Sequence, residues 1–332
     1  MKTLFDATKI GNMVLKNRFV RAAVADKTAD GSISEEMIEL YRKLAKGGVG
    51  SIITGYTLVD VAERALPVVA LYNDVFIDRH RKLTKAAHEG GANILAQLVY
   101  IGSYTSSHTG GLVALAPSAV ANLMTGTVAR EANAEELKEI QKKFAQAALR
   151  AREAGYDGVE LHAAHGFLLS QFMTPHYNQR TDAYGGSDAN RSRMTLETYE
   201  SVRGAVEERF PIWVKINSTD GIENGLTQKD CLYLCKKLTE RGVDAIEVSG
   251  KWFGRPTDAG AYFEDAAAAI AKENSVPVVL TGGNRDPLEM TRVLNKTDIG
   301  YFGIARPLVS EPNLIERFQK DTLQAKGGAG AC

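Results

Sequence analysis

The chain has 332 residues, equal numbers of basic and acidic side chains and a formal net charge of zero. This composition argues against a nucleic-acid partner or an anionic membrane surface, and no apolar run is long enough to span a membrane. Residues 1–6 lack the apolar core of a secretion signal, and three cysteines do not suggest a disulfide framework. We therefore expect a cytoplasmic protein that acts on a small molecule, with neither nucleic acid nor membrane as partner; a homo-oligomer stays open.

Short apolar segments alternate with helical patterns along the chain. After a hairpin at residues 10–15, the predicted strands are residues 18–24, 49–54, 93–99, 158–161, 211–216, 245–249, 276–280 and 299–304. The predicted helices are residues 34–46, 74–89, 133–154, 193–209, 227–241 and 260–273, one from residue 286, and a last one before a frayed tail at 325–332. Eight such units predict an α/β protein with a closed (β/α)8 TIM barrel rather than an open sheet.

No composition shift or linker divides the chain, so we predict a single domain over residues 1–332. No G-x-G-x-x-G follows a strand and no G-x-x-x-x-G-K-[ST] occurs, which argues against a Rossmann domain and a P-loop. The segments after the third and fourth strands, residues 101–130 and 166–192, are long for barrel loops. Long loops in compact domains are usually functional.

The fourth predicted strand ends at His162, and His165 follows three residues later. In barrels of this kind, catalytic side chains lie at the carboxyl ends of the strands. The alternative is that both histidines only terminate the strand and satisfy its backbone. Because two histidines stand together before a long loop, we favour a functional pair.

The loops after the seventh and eighth strands predict a phosphate site. Barrels often bind phosphate there, and glycines such as Gly282 and Gly283 let backbone N–H groups approach an anion. Arg306 adds a guanidinium group suited to phosphate. The alternative is ordinary turn chemistry beside an exposed arginine.

Three motifs carry a family resemblance: HAAHG at residues 162–166, NQRTDAYGGS at 178–187 and NR at 190–191. They resemble the signature of the Old Yellow Enzyme family, the FMN-dependent ene-reductases and NAD(P)H:flavin oxidoreductases, and the resemblance extends over nearly the whole chain. It implies noncovalent FMN and NAD(P)H as co-substrate. Hydride would pass from NAD(P)H through flavin N5 to an activated, enone-type alkene or a similar acceptor.

The resemblance also implies roles for individual residues. His162 and His165 match the pair that binds the acceptor oxygen, where two N–H donors stabilise the developing charge. Gln97 and Lys215 match positions that hydrogen-bond the flavin ring, although Lys215 could instead pair inside the barrel with Glu160 or Glu247. The expected cofactor-binding residues are Ala23, Val24, Ala25, Tyr56, Gln97, Lys215, Gly282, Gly283, Asn284, Ala305 and Arg306.

The sequence departs from the family pattern in three places. Phe167 stands where many members use a tyrosine as proton donor, and Ala25 stands where many have threonine or cysteine. Residues 100–103 read YIGS where the family often has His-x-Gly-Arg. We expect a substitute proton donor, and the candidates are Tyr56, Tyr100 and Tyr177.

Several alternatives remain at the level of the sequence. An NAD(P)H oxidase or quinone reductase of the same family would need no tyrosine in place of Phe167. A non-flavin phosphate-binding barrel lyase or isomerase, or a non-catalytic FMN-binding protein, is less favoured.

Cys231 and Cys235 are interpreted as small core residues, and no metal site is predicted because further ligands are missing. Larger relatives carry an iron–sulfur cluster that Cys332 alone could not form.

Overall fold

The computed structural model describes residues 1–64, 66–105, 114–250 and 260–328. Within them, eight parallel strands form a closed barrel, because β2 pairs with both β1 and β3 and β8 pairs with β1. The barrel strands are β1 (Phe19–Arg21), β2 (Ser51–Ile53), β3 (Asn93–Val99), β4 (Gly158–Ala163), β5 (Ile212–Asn217), β6 (Ala245–Ser249), β7 (Val278–Thr281) and β8 (Tyr301–Ile304). This confirms the predicted (β/α)8 barrel.

Helices surround the barrel and alternate with its strands. They are α1 (Glu35–Lys46), α2 (Ile77–Glu89), α3 (Ala134–Glu153), α4 (Asp188–Ala205), α5 (Gln228–Thr239), α6 (Glu264–Glu273), α7 (Pro287–Lys296) and α8 (Leu314–Gly328). The last helix extends into the expected frayed tail, of which residues 329–332 lie outside the described ranges. None of the helices in the described ranges combines the length and apolar character needed to cross a membrane.

Most predicted boundaries agree with the structure, and α4 is the clearest exception. It begins at Asp188, five residues before the predicted start at 193, because the Ser187 hydroxyl caps it by accepting the Asn190 N–H at 3.3 Å. The predicted capping box of α3 is present: Asn133 and Glu136 each accept the other's backbone N–H at 2.9 Å.

The amino-terminal hairpin closes one end of the barrel. Its strands, Thr8–Ile10 and Met13–Leu15, are antiparallel, and Gly11 adopts the positive φ of +54° in the turn. We call the buried cluster at this end the apolar plug; it consists of Ile10, Met13, Leu15, Val20, Ile53, Leu95, Trp213, Ala245, Val279 and Tyr301. The opposite, carboxyl end is therefore the end that can hold a site.

The two long loops contain structure of their own. A short helix, Leu168–Met173, follows β4, and two short strands, Leu115–Ala116 and Arg130–Glu131, pair in the segment after β3. Arg180 joins these loops, because its guanidinium group donates to the carbonyl oxygens of Pro117 at 3.0 Å and Ala132 at 2.7 Å. This arginine of the NQRTDAYGGS motif therefore holds the loops together.

Candidate active site

Four polar side chains fill the carboxyl half of the barrel interior. Gln97, Glu160 and Glu247 are 0% exposed and Lys215 is 2% exposed, and we call them the polar quartet. Gln97 Nε2 donates to Glu160 Oε2 at 2.6 Å, and Lys215 Nζ donates to Glu247 Oε1 at 2.7 Å. The strand register explains the second pair, since Lys215 on β5 lies directly opposite Glu247 on β6. Of the two partners considered from the sequence, Lys215 therefore uses Glu247.

The two carboxyl groups of the quartet have pKa values shifted in opposite directions. Burial, followed by the nearby charge of Glu247, holds the pKa of Glu160 well above its usual range. Burial also acts to raise the pKa of Glu247, but the Lys215 ammonium group and the hydrogen bonds it receives outweigh burial and lower that pKa. Glu247 is thus the charged partner of Lys215, whereas Glu160 retains a proton more readily.

His162 is a neutral hydrogen-bond donor at the end of β4. Burial, together with His165 and Lys215, holds its pKa well below the ordinary value. The Ala164 backbone N–H donates to His162 Nδ1 at 3.3 Å, which assigns the ring proton to Nε2. The imidazole rings of His162 and His165 lie 5.1 Å apart, so the structure brings the predicted pair together.

His165 is held by its backbone as well as by its ring. Its φ of +59° is in the left-handed region that non-glycine residues rarely adopt, and its N–H donates to Asn217 Oδ1 at 3.2 Å. Asn217 is oriented in turn, because its Nδ2 donates to Asp220 Oδ1 at 2.8 Å. His165 Nε2 forms a 3.0 Å hydrogen bond with Ser249 Oγ. Asn217, Asp220 and Ser249 were not predicted from the sequence, although Asn217 and Ser249 end β5 and β6 and Asp220 belongs to the polar run after β5.

Phe167 lies in an aromatic cluster beside the two histidines. Its ring centroid is 4.8 Å from that of His162 and 5.3 Å from those of both Tyr56 and Tyr104. Tyr104 was not among the predicted residues, although it follows β3 closely. The structure therefore surrounds the phenylalanine with two tyrosines that carry hydroxyl groups.

The other two predicted tyrosines lie in different surroundings. Tyr177 lines a cleft together with His165 and Tyr104, and its hydroxyl accepts the Leu123 N–H at 3.2 Å. Tyr100 is 3% exposed, and burial followed by the charge of Glu63 raises its pKa. Burial also raises the pKa of Tyr177, so its phenol stays protonated and can donate.

The loops after β7 and β8 line a cavity of about 260 Å³. Gly282 and Gly283 have φ values of +129° and +81°, and a Cβ at Gly283 would lie 1.9 Å from the Gly260 carbonyl oxygen. Only glycine fits there, and the bare backbone can approach a ligand closely. The exposed Arg306 lines the same cavity.

Other predicted cofactor residues support the walls of this cavity or lie near β1. Asn284 Nδ2 donates to the Leu280 and Gly303 carbonyl oxygens at 2.7 and 2.9 Å, so it ties the loop after β7 to the ends of β7 and β8. Ala305 lines the cavity as well. Ser249 also lines it, and the cavity therefore meets His165 at this serine.

The loop after β1 contains Ala23 and Val24, which are half-buried, and Ala25, which is exposed. Asp26 fixes this loop to the one after β2, because its carboxylate accepts the Gly55 N–H at 2.9 Å and the Tyr41 hydroxyl.

The two helix cysteines pack inside the protein. Cys231 and Cys235 are buried with their sulfur atoms 4.0 Å apart. Within the described ranges, no group of three or more His, Cys, Asp or Glu side chains could hold a metal ion.

Comparison with known proteins places the chain in a family. The family model for NADH:flavin oxidoreductases and NADH oxidases matches residues 3–324. A metal reductase from Desulforamulus reducens and an NADH oxidase from Thermoanaerobacter brockii are each 35% identical to the chain, over 324 and 321 residues. These alignments cover 95% and 93% of this chain but 48% and 49% of the relatives, so the chain spans about half their length.

A solved structure supports the same fold. The old yellow enzyme homologue from Zymomonas mobilis superposes with a TM-score of 0.85 at 24% identity, over 96% of this chain and 93% of that one. The family model covers nearly the whole chain and the barrel agrees with it. The chain therefore belongs to the NADH:flavin oxidoreductase / NADH oxidase family, which includes the Old Yellow Enzymes.

Proposed function

We propose that the protein is an FMN-dependent NAD(P)H oxidoreductase that reduces an activated alkene. One observation carries this proposal. The glycine-lined cavity after β7 and β8 meets the histidine pair at Ser249, and the polar barrel interior lies below them. A phosphate site next to buried ring-binding groups suits a flavin mononucleotide, whereas a barrel lyase would need no such interior.

The residues present fit FMN at both of its ends. Gly282, Gly283, Ala305 and Arg306 would hold the phosphate with backbone N–H groups and a guanidinium group. Gln97 Oε1 is buried and has no hydrogen-bond partner among the described residues, so it offers an acceptor to a ring N–H. Lys215 would supply the positive charge that favours the reduced ring. Bound FMN would accept hydride from NAD(P)H and pass it to the acceptor.

His162 and His165 would bind the electron-withdrawing oxygen of the acceptor. His162 presents its Nε2–H because Nδ1 already accepts a backbone N–H. His165 can exchange the Ser249 hydroxyl for the acceptor oxygen, since Ser249 is a neutral partner. Two N–H donors on one oxygen stabilise the negative charge that develops there, and each such donor is typically worth about 2.7–4 kcal/mol.

A tyrosine other than residue 167 would deliver the proton. Tyr177 is our preferred donor, because it lines the cleft beside His165 and its oxygen already accepts the Leu123 N–H, which leaves its own proton to give. Tyr104 lines the same cleft and Tyr56 packs on Phe167, so they are the next candidates. Tyr100 is the weakest, because it is buried next to Glu63.

A second candidate function is an NADH oxidase or quinone reductase. Phe167 favours it, because oxygen and quinones accept electrons without a protein tyrosine at that position. The relative named NADH oxidase adds support, but the chain covers only 49% of that protein.

Purification and anaerobic reduction test the proposal. We expect a yellow protein that releases FMN on denaturation, is reduced by NADH or NADPH, and is reoxidised by a cyclohexenone-type acceptor. Faster reoxidation by oxygen or a quinone would favour the second candidate. A folded protein that neither contains FMN nor takes it up would refute both.

A further inference from the structure

The carboxyl groups of Glu160 and Glu247 have an unusual deficit of hydrogen bonds. Glu160 Oε1 and Glu247 Oε2 are both buried and have no donor among the described residues. The two side chains nevertheless lie within hydrogen-bonding reach of each other, and the buried Thr281 hydroxyl lies within the same reach of Glu247. Two ionised carboxylates have no proton to place between them, and each unpaired buried oxygen would be destabilising. One proton between the two oxygens would satisfy both.

The surroundings of the pair limit its charge. Lys215 lies on the far side of Glu247, and Gln97 is the partner of Glu160 on its other oxygen. His162 lies opposite Lys215 on the other neighbouring strand and is neutral. With one shared proton, the carboxyl pair carries a single negative charge that balances the Lys215 ammonium group. Without it, the buried quartet would carry a net charge of minus one.

We propose that Glu160 and Glu247 share one proton, and that this proton keeps the polar quartet neutral, so that the quartet does not lower the reduction potential of the flavin. The second clause rests on the proposed function; the first does not. A net negative charge in the low-dielectric barrel would oppose the addition of electrons to a nearby ring. The shared proton removes that opposition and lets Lys215 act on the ring.

Infrared spectroscopy of the purified protein tests the shared proton directly. The difference spectrum of the wild type minus Glu160→Gln should show the C=O stretching band of a protonated carboxylic acid, with or without FMN. The band of Glu63, whose pKa burial also holds well above its usual range, is present in both proteins and cancels. The wild type minus Glu247→Gln should show the same band, because Glu160 then becomes the carboxylate available to Lys215 and ionises. A proton retained on Glu160 by burial alone would survive in Glu247→Gln and cancel in that spectrum. Absence of the band from either difference spectrum would overturn the proposal.

Redox titration tests the role of that proton. In both single variants one carboxylate still balances Lys215, so their flavin midpoint potentials should agree with the wild type near neutral pH. The double variant Glu160→Gln/Glu247→Gln leaves Lys215 without a counter-charge, and its potential should be higher than the other three. Equal potentials in all four proteins, or a single variant that shifts as far as the double one, would contradict the role.

Failure of the proposed function and failure of the shared proton would give different results. If no variant and no wild-type protein binds FMN, the proposed function fails while the infrared measurement still decides the shared proton. If FMN binds normally and the carboxylic acid band is absent, only the further inference fails.

Discussion

The two ends of the barrel are built from the same strands but hold opposite kinds of side chain. On β5, Trp213 and Lys215 lie two residues apart and both point inward, because side chains alternate along a strand. Trp213 belongs to the apolar plug, where burial is favourable, whereas Lys215 is buried only together with Glu247. The comparison suggests that one end supplies stability, and that the other holds groups which are retained for chemistry.

The largest expected effect is a loss of stability when the apolar plug is disrupted. Trp213→Ala should lower the free energy of unfolding by about 3–5 kcal/mol, because a large fully buried side chain leaves a cavity. Urea denaturation followed by circular dichroism measures the loss. Val14→Ala is the matched control, because Val14 lies on the hairpin at the same end but is 67% exposed, and its effect should stay within about 0.5 kcal/mol.

FMN retention completes that test. At urea concentrations where the Trp213→Ala protein stays folded, we expect it to bind FMN as the wild type does. An FMN affinity that falls in parallel with stability would show that the two ends are not independent.

The next largest effect is a slower acceptor half-reaction when the histidine pair at the carboxyl end is disrupted. His162→Ala should slow the acceptor half-reaction about 10²–10³-fold, because one N–H donor to the developing charge is removed. Stopped-flow measurement should show flavin reduction by NAD(P)H nearly unchanged. A phenol, which mimics an enolate oxygen, should perturb the flavin spectrum in the wild type and lose that effect in the His162→Ala/His165→Ala protein. Wild-type phenol binding in the double variant would remove both histidines from the acceptor site.

The pH dependence of phenol binding sharpens the same assignment. An exposed histidine would titrate near 6.5, but the pKa of His162 lies well below that value because the ring is buried. The neutral Nε2–H donor is therefore present on both sides of pH 6.5. Residual phenol affinity in the His165→Ala protein, where His162 is the remaining imidazole of the pair, should therefore not change through that pH, and a titration there would show that His162 is not a buried neutral donor.

A smaller effect separates two groups of tyrosines at the carboxyl end. Tyr177→Phe should slow alkene reduction about 10²-fold, the lower range for a positioned proton donor, because water can partly replace it. Tyr100→Phe is the matched control, since its phenol is buried beside Glu63. If Tyr56→Phe, Tyr104→Phe and Tyr177→Phe all reduce a cyclohexenone at the wild-type rate, the idea of a substitute donor is wrong.

The fold was predictable from the sequence because the apolar periodicity and turn residues that define each strand and helix lie within that element. The limits of β3 and β6 agree with the sequence to the residue, as apolar runs between turn residues define them. The start of α4 was placed too late because the buried residues of its first turns, Arg191 and Ser192, are polar, which hides the helical period there. The end of the barrel at which each strand-end residue lies was also predictable, because all barrel strands run in the same direction and their carboxyl ends therefore meet at one end.

Contacts between strands were not predictable in the same way. The sequence left Glu160 and Glu247 as equal partners for Lys215, since both interrupt apolar strands. Only the register, with Lys215 opposite His162 on one side and Glu247 on the other, decides between them. The aromatic cluster of Tyr56 and Tyr104 around Phe167 likewise joins loops that are distant in the chain.

The smallest expected effect concerns the rim of the carboxyl end, where Arg306 is exposed to solvent. Arg306→Ala should weaken FMN binding about tenfold, near the lower limit for a charge-assisted hydrogen bond of about 1.5–3 kcal/mol, because solvent screens the charge. Riboflavin is the matched ligand, since it has the same ring and no phosphate, and its affinity should be the same in the variant and the wild type. The free energy of unfolding of the FMN-free protein should also stay within about 0.5 kcal/mol, because an exposed side chain contributes little to stability. Fluorescence titration of both ligands measures the difference. Equal losses for FMN and riboflavin would mean that Arg306 supports the loop rather than the phosphate, and an unchanged FMN affinity would remove it from the site.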